Sequence, residues 1–314
     1  DVTIVLSSNG ILNKDIATSN FSNSYLSSNI VTAIAQDNNG MMWFGTKRGL
    51  NSFDSYNFEE YNQIDGIINA TITDIQLVGD TLFVGTEKGL CIYDINNKVV
   101  TNYFAETDSL ILPNNHIYSI SEPIKNKVTI CTKGGTSVYD LKTRKFYIPK
   151  INNYFPDYEV RCVEYMEYDD SWWIGTSNGL VRYQDENQSL RHFYSIKGND
   201  ETLPDNSLRC MYKVDDHRLF VGTSNGLCLL DISKKELQII NFDILTNHQS
   251  PKLDISKIIS FGDDEIMIST YTDGLYIYDY KNNAATHISK FDRRNAISDN
   301  YIFDIFKDGN GSIW

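Results

Sequence analysis

One short pattern of apolar and polar residues recurs along the chain. Residues 42–50 read Met-Trp-Phe-Gly-Thr-Lys-Arg-Gly-Leu, an apolar run followed by Gly-Thr, two polar residues and Gly-Leu. Three further copies are regular, at 82–90, 172–180 and 219–227, and two are degraded, at 128–136 and 266–275. The threonine of the pattern falls at 46, 86, 132, 176, 223 and 270, so successive copies lie 40 to 47 residues apart. A period of this size predicts a repeat architecture.

Each repeat is predicted to contain four short β-strands, named A to D in chain order. In the first repeat we place them at 31–36, 42–46, 50–53 and 58–61. Asn-Gly pairs between apolar runs, such as Asn178-Gly179, predict tight hairpin turns because these turns need positive φ. Strand B is apolar at consecutive positions, so both of its faces are expected to be buried. Together these features indicate an all-β fold, a β-propeller of four-stranded antiparallel blades.

A seventh copy begins near residue 300. Residues 308–314 read Asp-Gly-Asn-Gly-Ser-Ile-Trp and align with Asp-Asn-Asn-Gly-Met-Met-Trp at 37–43. We therefore predict a seven-bladed propeller whose last blade is truncated in this chain. The propeller is expected to span 16–314, with a closing strand at 16–21 and an N-terminal extension at 1–15. Its repeats are expected to begin near residues 29, 70, 115, 158, 206, 253 and 300.

Composition and motifs exclude several functions. The 314 residues contain 28 Lys and Arg against 41 Asp and Glu, a net charge of −13, which argues against nucleic acid as a partner of this segment. The five cysteines form no Cys-x-x-Cys pair, and the five histidines show no metal-ligand spacing. We predict no catalytic residues, no metal and no cofactor. The Asp-x-x-Gly turns at 37–40 and 308–311 resemble the start of a calcium loop, but the later Glu is missing, so we interpret them as structural turns.

Candidate ligand-binding residues break the repeat pattern at the end of the propeller that carries the long D–A loops. Loops on a rigid scaffold often carry function. The strand-A position of Thr32 is filled by Tyr118, Arg161 and Arg209 in three consecutive repeats. An aromatic face beside guanidinium donors suits a sugar ring or an anionic sugar. The alternative is packing between blades, with each arginine paired to a carboxylate.

Three further candidates lie at the same end. His116 and Tyr301 occupy equivalent positions just before strand A, and Tyr271 lies beside the extra residue of the sixth B–C turn. That extra residue could re-aim Tyr271 towards the central funnel; ordinary loop variation is the other interpretation.

The motifs at Val31–Asp54 resemble the two-component regulator propeller repeat. The Asp-x-x-Gly turn, the Trp-Phe-Gly-Thr strand and the Gly-Leu hairpin occur there together and recur over about residues 16–314. The resemblance implies the periplasmic sensor region of a gut-bacterial hybrid two-component system, with an oligosaccharide or other small glycan as its ligand. It also implies a histidine kinase elsewhere in the parent protein, with a second propeller and downstream domains as partners and a homodimer as the full-length receptor.

The sequence is compatible with two other functions. A carbohydrate-active propeller enzyme would need two carboxylates at glycosidase separation. A protein-interaction or dimerisation scaffold would need an exposed apolar patch.

Overall fold

The computed structural model describes residues 6–7, 26–68, 70–106, 111–154, 159–199, 201–233, 238–242, 253–292 and 296–314, with the backbone alone at 6–7 and 238–242. Within this part of the chain, six four-stranded antiparallel sheets form the six blades of a β-propeller, and in each sheet the strands pair in the chain order A-B-C-D. The chain divides into two compact units, one that includes 13–160 and 306–314 and one that includes 161–305.

The first unit holds blades 1 to 3. Blade 1 consists of Val31–Gln36, Met42–Thr46, Gly49–Phe53 and Phe58–Tyr61. Blade 2 consists of Ile72–Val78, Thr81–Thr86, Gly89–Asp94 and Val99–Tyr103. Blade 3 consists of Ile117–Ile120, Lys127–Thr132, Gly135–Asp140 and Lys145–Tyr147. Single 3-10 turns lie at Gln63–Asp65 and Lys150–Tyr154.

The second unit holds blades 4 to 6. Blade 4 consists of Val160–Met166, Ser171–Thr176, Gly179–Gln184 and Ser189–Phe193, with a 3-10 turn at Glu167–Asp169. Blade 5 consists of Leu208–Lys213, Arg218–Thr223, Gly226–Asp231 and Gln238–Phe242. Blade 6 consists of Ile255–Ser260, Glu265–Thr270, Leu275–Asp279 and Ala284–Ile288. The described residues contain no helix that is long and apolar enough to cross a bilayer.

The prediction of seven blades is wrong, because the described residues form six four-stranded blades. The seventh copy supplies only the strand-A position and the A–B turn of the repeat, so it has no C and D strands with which to complete a sheet. Its residues form a bridge between Lys307 and Ile313 and a two-residue strand at Ser312–Ile313. The Trp314 ring then packs on blade 1, with its centroid 5.9 Å from Phe44. The predicted closing strand at 16–21 lies outside the described residues, and Leu6–Ser7 is a short strand in the predicted N-terminal extension.

Burial follows the predicted strand pattern. In blade 1, every residue of strands B and C is buried, whereas strand D is half-buried or exposed. The glycine before the repeat threonine explains how closely neighbouring sheets approach. A Cβ on Gly45 would lie 2.5 Å from Ile72 Cγ2 of blade 2, and one on Gly222 would lie 2.7 Å from Ile255 Cγ2 of blade 6. Glycine at this position therefore allows adjacent blades to pack without a gap.

The side chain of the repeat threonine hydrogen-bonds to the backbone of the B–C turn. Thr46 Oγ1 donates to the carbonyl of Gly49 at 3.0 Å and accepts the Arg48 N–H at 3.0 Å. Its counterparts make the same donation in the other five blades, namely Thr86, Thr132, Thr176, Thr223 and Thr270. A buried hydroxyl that is both donor and acceptor satisfies the turn backbone, which explains why threonine recurs.

The Asp-x-x-Gly segments are structural turns. Asp37 Oδ1 accepts the backbone N–H groups of Asn39 and Met41 at 2.9 and 3.0 Å, and Oδ2 accepts the Trp43 indole N–H at 3.3 Å. Asp308 makes the equivalent bonds in the seventh copy, with the Trp314 indole at 2.8 Å. The carboxylate is thus occupied by its own turn, as the sequence interpretation required.

Candidate functional site

The strand-A position that carries the candidate residues is a β-bulge. In blade 1, Val31 pairs with Thr46 and Ala33 pairs with Gly45, so Thr32 is the extra residue. The register shifts at the same place in blades 2, 3, 5 and 6, where the extra residues are Thr73, Tyr118, Arg209 and Ser256. A bulge bends the strand and re-aims a side chain, and bulges concentrate next to functional sites. Nothing in the apolar pattern had indicated this bulge.

In the second unit, Arg209 is held by an aspartate from the next blade. Its Nε donates to Asp254 Oδ1 at 2.8 Å, and its Nη2 donates to Asp254 Oδ2 at 3.1 Å. The two side chains keep 24% and 25% of their surface exposed. A planar bidentate pair of this kind fixes the guanidinium in one orientation. The carboxylate pairing that the sequence left open as an alternative is therefore present for Arg209, and the pair still reaches solvent.

Tyr271 completes an aromatic wall beside this pair. The Arg209 guanidinium lies 5.6 Å from the centroid of the Tyr271 ring. The Phe303 ring meets Tyr271 edge-on, with centroids 5.8 Å apart and planes inclined at 72°. The backbone N–H of Tyr271 donates to the carbonyl of Asp254 at 2.9 Å, which ties the sixth B–C turn to the Arg209 pair. The irregular turn thus brings Tyr271 to Arg209.

Burial raises the pKa of the Tyr271 hydroxyl, and the positive charges of Arg209 and Arg161 oppose that rise. Arg161 is half-buried and is the second residue of strand A in blade 4. The positive charge of Arg161 helps to lower the pKa of the Tyr271 hydroxyl, so both predicted arginines interact electrostatically with Tyr271.

The remaining candidates make the following contacts. In the first unit, the His116 and Tyr118 rings contact each other with centroids 4.7 Å apart. The carbonyl of His116 accepts the backbone N–H of Lys133 at 3.0 Å, which anchors that histidine to the third B–C turn. Tyr301 of the second unit is 63% exposed, and its backbone N–H donates to Asp299 Oδ1 at 3.3 Å.

A second charged pair, which the sequence analysis did not predict, joins blade 6 to the segment that follows it. Lys257 Nζ lies 3.0 Å from Asp304 Oδ1, and the Asp304 side chain is 6% exposed. Both occupy the repeat position of Ala33, one copy apart. Opposite charges at equivalent strand-A positions of neighbouring repeats were the available signal. Asp254, at the end of a D–A loop, carried no such signal.

Two surface clefts lie at D–A loops, one in each unit. In the second unit, a cleft of about 430 Å³ is lined by residues 195–199 and 203–206. In the first unit, a cleft of about 300 Å³ is lined by Arg48, Glu60, Ile64 and their neighbours.

Neither a metal-binding group nor a disulfide is present among the described residues. No group of three His, Cys, Asp or Glu side chains within them could hold a metal ion. All five cysteines are buried free thiols, and burial raises the pKa of Cys91 and of Cys210 to about 12. A buried neutral thiol packs like a small apolar residue.

Comparison with known proteins agrees with the repeat pattern. Residues 25–48 match the family described as two component regulator propeller. Histidine kinase P4 of Formosa agariphila is 30% identical over 302 residues, which cover 92% of this chain and 18% of that protein. This chain thus spans less than a fifth of the curated relative that it matches.

Solved structures give the same relationship. The extracellular domain of a hybrid two component system from B. thetaiotaomicron superposes with a TM-score of 0.76 at 26% identity, covering 92% of this chain and 39% of that one. A second extracellular domain from the same organism, at 21% identity and a TM-score of 0.52, covers 94% of this chain and 51% of its own and supports the fold. The chain therefore carries a match to the two component regulator propeller family at residues 25–48 and is similar to the extracellular domain of a hybrid two-component system.

Proposed function

We propose that this chain is a periplasmic sensor module that binds an oligosaccharide and passes the signal to a histidine kinase in the same protein. The relationship to extracellular receptor domains supports the sensing role. We infer an oligosaccharide ligand from the Arg209–Asp254 pair, which lies beside the aromatic rings of Tyr271 and Phe303.

The chemistry of this cluster suits a sugar. Asp254 uses the Nε and one Nη2 donor of Arg209, so the guanidinium keeps further N–H donors for ligand hydroxyl or carboxylate oxygens. The half-buried Tyr271 adds an aromatic face and a hydroxyl. Rings of this type pack on the C–H face of a pyranose while fixed polar groups set its orientation. Because Asp254 pre-orients Arg209, little conformational entropy is lost when the ligand binds.

The rest of the signalling path lies in the parent protein. We propose that the module works with a second propeller and downstream domains in a homodimeric receptor. Ligand binding would shift the orientation of the propellers, provided that the ligand binds one orientation more tightly than the other. The sequence relative that bears a kinase name is much longer than this chain, which leaves room for such domains.

Calorimetric titration with a panel of plant and host oligosaccharides tests the proposal. Binding by the chain, or by the ectodomain that contains it, should weaken about tenfold in Arg209→Lys, because lysine keeps the charge but loses the bidentate geometry. Arg218→Lys is the matched control. Arg218 also pairs with an aspartate, Asp215 at 2.8 Å, and lies 5.7 Å from the centroid of the Tyr280 ring, but it belongs to the start of strand B in blade 5.

Equal loss of affinity in both variants would show that the Arg209 cluster is not the ligand site. Failure of every oligosaccharide to bind the ectodomain would overturn the sensing of sugars itself.

A further inference from the structure

We infer that residues 195–199 and 203–206 of one D–A loop form a preformed contact site for a neutral, hydroxyl-rich group, such as one residue of an oligosaccharide. The inference rests on the proposed function for the class of ligand and adds a site that the Arg209 cluster does not include. Its location is the cleft of about 430 Å³ in the second unit.

The loop is fixed by its own hydrogen bonds. Asn206 Oδ1 accepts the Ser195 backbone N–H at 2.7 Å and so closes the two ends of the loop. Within it, Thr202 Oγ1 accepts the Ile196 N–H at 3.0 Å. Leu203 is 2% exposed and anchors the loop in the core of the unit. A cleft whose walls are held in this way needs little reordering to receive a ligand.

The closing bond is a general device of these repeats. Asn115 Oδ1 accepts the Ala105 N–H at 2.7 Å in blade 3, and Asn300 Oδ1 accepts the Lys290 N–H at 2.8 Å after blade 6. The asparagine therefore has a structural role through its oxygen in several loops. Further polar groups line the cleft beside this closing bond, at residues 197–199 and 205–206.

Those groups offer donors and acceptors in balance. The oxygens of Asn199 and Asn206 accept backbone N–H groups at 3.0 and 2.7 Å, which leaves the amide N–H donors of both side chains for other partners. Asp205 Oδ1 accepts the Ser207 N–H and the Ser224 hydroxyl, both at 2.8 Å, while Oδ2 makes no hydrogen bond to the described residues. The exposed ammonium group of Lys197 carries a charge opposite to that of this carboxylate.

A lining that pairs amide and ammonium donors with a carboxylate acceptor, and that carries no net charge, fits hydroxyl groups better than an anion or a cation. Ile196, which is 58% exposed, and Pro204 add aliphatic surface for the C–H face of a sugar ring. The chemistry of the cleft therefore indicates a neutral polyol.

The test uses D-glucose, D-xylose and D-galactose as probes on isotope-labelled protein, followed by NMR chemical-shift mapping. We expect the amides of residues 197–199 and the side-chain NH₂ groups of Asn199 and Asn206 to shift with at least one sugar. Asn199→Asp keeps the oxygen that accepts the Glu201 N–H and removes the donor pair, so it should weaken binding about tenfold.

Asn187→Asp is the matched control. Asn187 is also exposed, and its oxygen accepts the Ser189 N–H at 2.9 Å in a C–D turn, so the variant should bind as the wild type does. Asn206→Asp, which keeps the loop-closing oxygen, gives a second variant should Asn199→Asp alter the local fold.

The inference is overturned if none of the three sugars shifts these groups, or if Asn199→Asp and Asn206→Asp bind as tightly as the Asn187→Asp control. The two sites can fail separately. Loop shifts that persist unchanged in Arg209→Lys, together with unaltered oligosaccharide affinity of that variant, would retain the loop site and remove the Arg209 site. If Arg209→Lys lowers the oligosaccharide affinity while Asn199→Asp and Asn206→Asp do not, the Arg209 site is retained and the loop site is removed.

Discussion

The Tyr276 hydroxyl donates to Asp273 Oδ2 at 2.5 Å inside the sixth B–C turn. This turn has one residue more than the others, and it carries Tyr271. Asp273 is held from two further sides, by Thr270 Oγ1, which accepts its N–H at 2.8 Å, and by His287 Nε2, which donates to its carbonyl at 2.6 Å. The longer turn is therefore an anchored element, and Tyr271 owes its place beside Arg209 partly to Asp273.

Tyr276→Phe should loosen this turn. The substitution removes the donor to a carboxylate that is 18% exposed, and the loss of such a charge-assisted bond is expected to lower the free energy of unfolding by about 1.5–3 kcal/mol. Urea unfolding measures the loss, and hydrogen exchange should show faster exchange of the Tyr271 and Gly274 amides. Tyr278→Phe, which removes a bond to the neutral Asn283 amide at 2.8 Å, should cost less and leave those amides protected. Equal exchange in both variants would contradict the anchoring role.

The repeat threonine should be sensitive to loss of its hydroxyl and tolerant of serine. Thr223 Oγ1 donates to the Gly226 carbonyl at 2.9 Å and accepts the Asn225 N–H at 3.2 Å, and the residue is fully buried. Thr223→Val keeps the shape but leaves both backbone groups without their partner, so we expect a loss of about 1–3 kcal/mol. Thr223→Ser should lose less than half of that. Chemical denaturation of the two variants in parallel decides whether the hydroxyl or the shape matters.

A methyl group on Gly85 should push two blades apart. A Cβ there would lie 2.7 Å from Ile117 Cγ2 of blade 3, which is too close for any ordinary contact. Gly85→Ala is therefore expected to cost about 1–3 kcal/mol through overpacking. Gly309→Ala is the control, because its Cβ would come no closer than 3.4 Å, to the flexible Gln36 side chain. A thermal unfolding midpoint of Gly85→Ala equal to that of Gly309→Ala would contradict the close approach of the blades.

The strands were predictable because their cause is local in sequence. The apolar run, the Gly-Thr step and the hairpin glycine recur in each repeat, and the observed strands B and C follow them. The degraded copies became intelligible only in three dimensions. Ser269 replaces the usual glycine in blade 6, where its hydroxyl bonds to Ser256 at 2.8 Å. The seventh blade was predicted wrongly because a matching turn does not supply the strands that complete a sheet.

The candidate site was only partly predictable. Alignment of repeats selected Arg209, because an arginine at a position filled by Thr32 in the first copy breaks the pattern. It could not select Asp254, since a D–A loop has no fixed alignment between repeats, and the pairing depends on how two blades pack. Nor could it show the bulge at Arg209, because the strand keeps its apolar spacing on either side. Contacts between repeats are the part that a repeat pattern does not encode.

The C–D turns should make the fold sensitive to acid. Hydrogen bonds from the backbone N–H groups of Asn57, Asn97 and Thr143 lower the pKa of Asp54, Asp94 and Asp140, respectively. A carboxyl whose pKa is lower in the folded state stabilises the fold above its unfolded pKa of about 3.9, and the stabilisation is lost as the pH falls through the folded value. The unfolded chain binds these protons first, so the free energy of unfolding should fall as the pH drops below about 4.

Replacing all three turn aspartates by asparagine should flatten this dependence. The changes Asp54→Asn, Asp94→Asn and Asp140→Asn each keep an oxygen that can accept the turn N–H groups while removing the titrating carboxyl. Urea unfolding of wild type and triple variant, from neutral pH down to about pH 3, measures the free energy of unfolding at each pH. The free energy of unfolding of the wild type should fall more over this range than that of the triple variant. Equal dependence of the free energy of unfolding on urea concentration in the two proteins would show that unfolding exposes a similar surface area in both. Parallel pH curves for the two proteins would mean that these turns do not contribute to acid sensitivity.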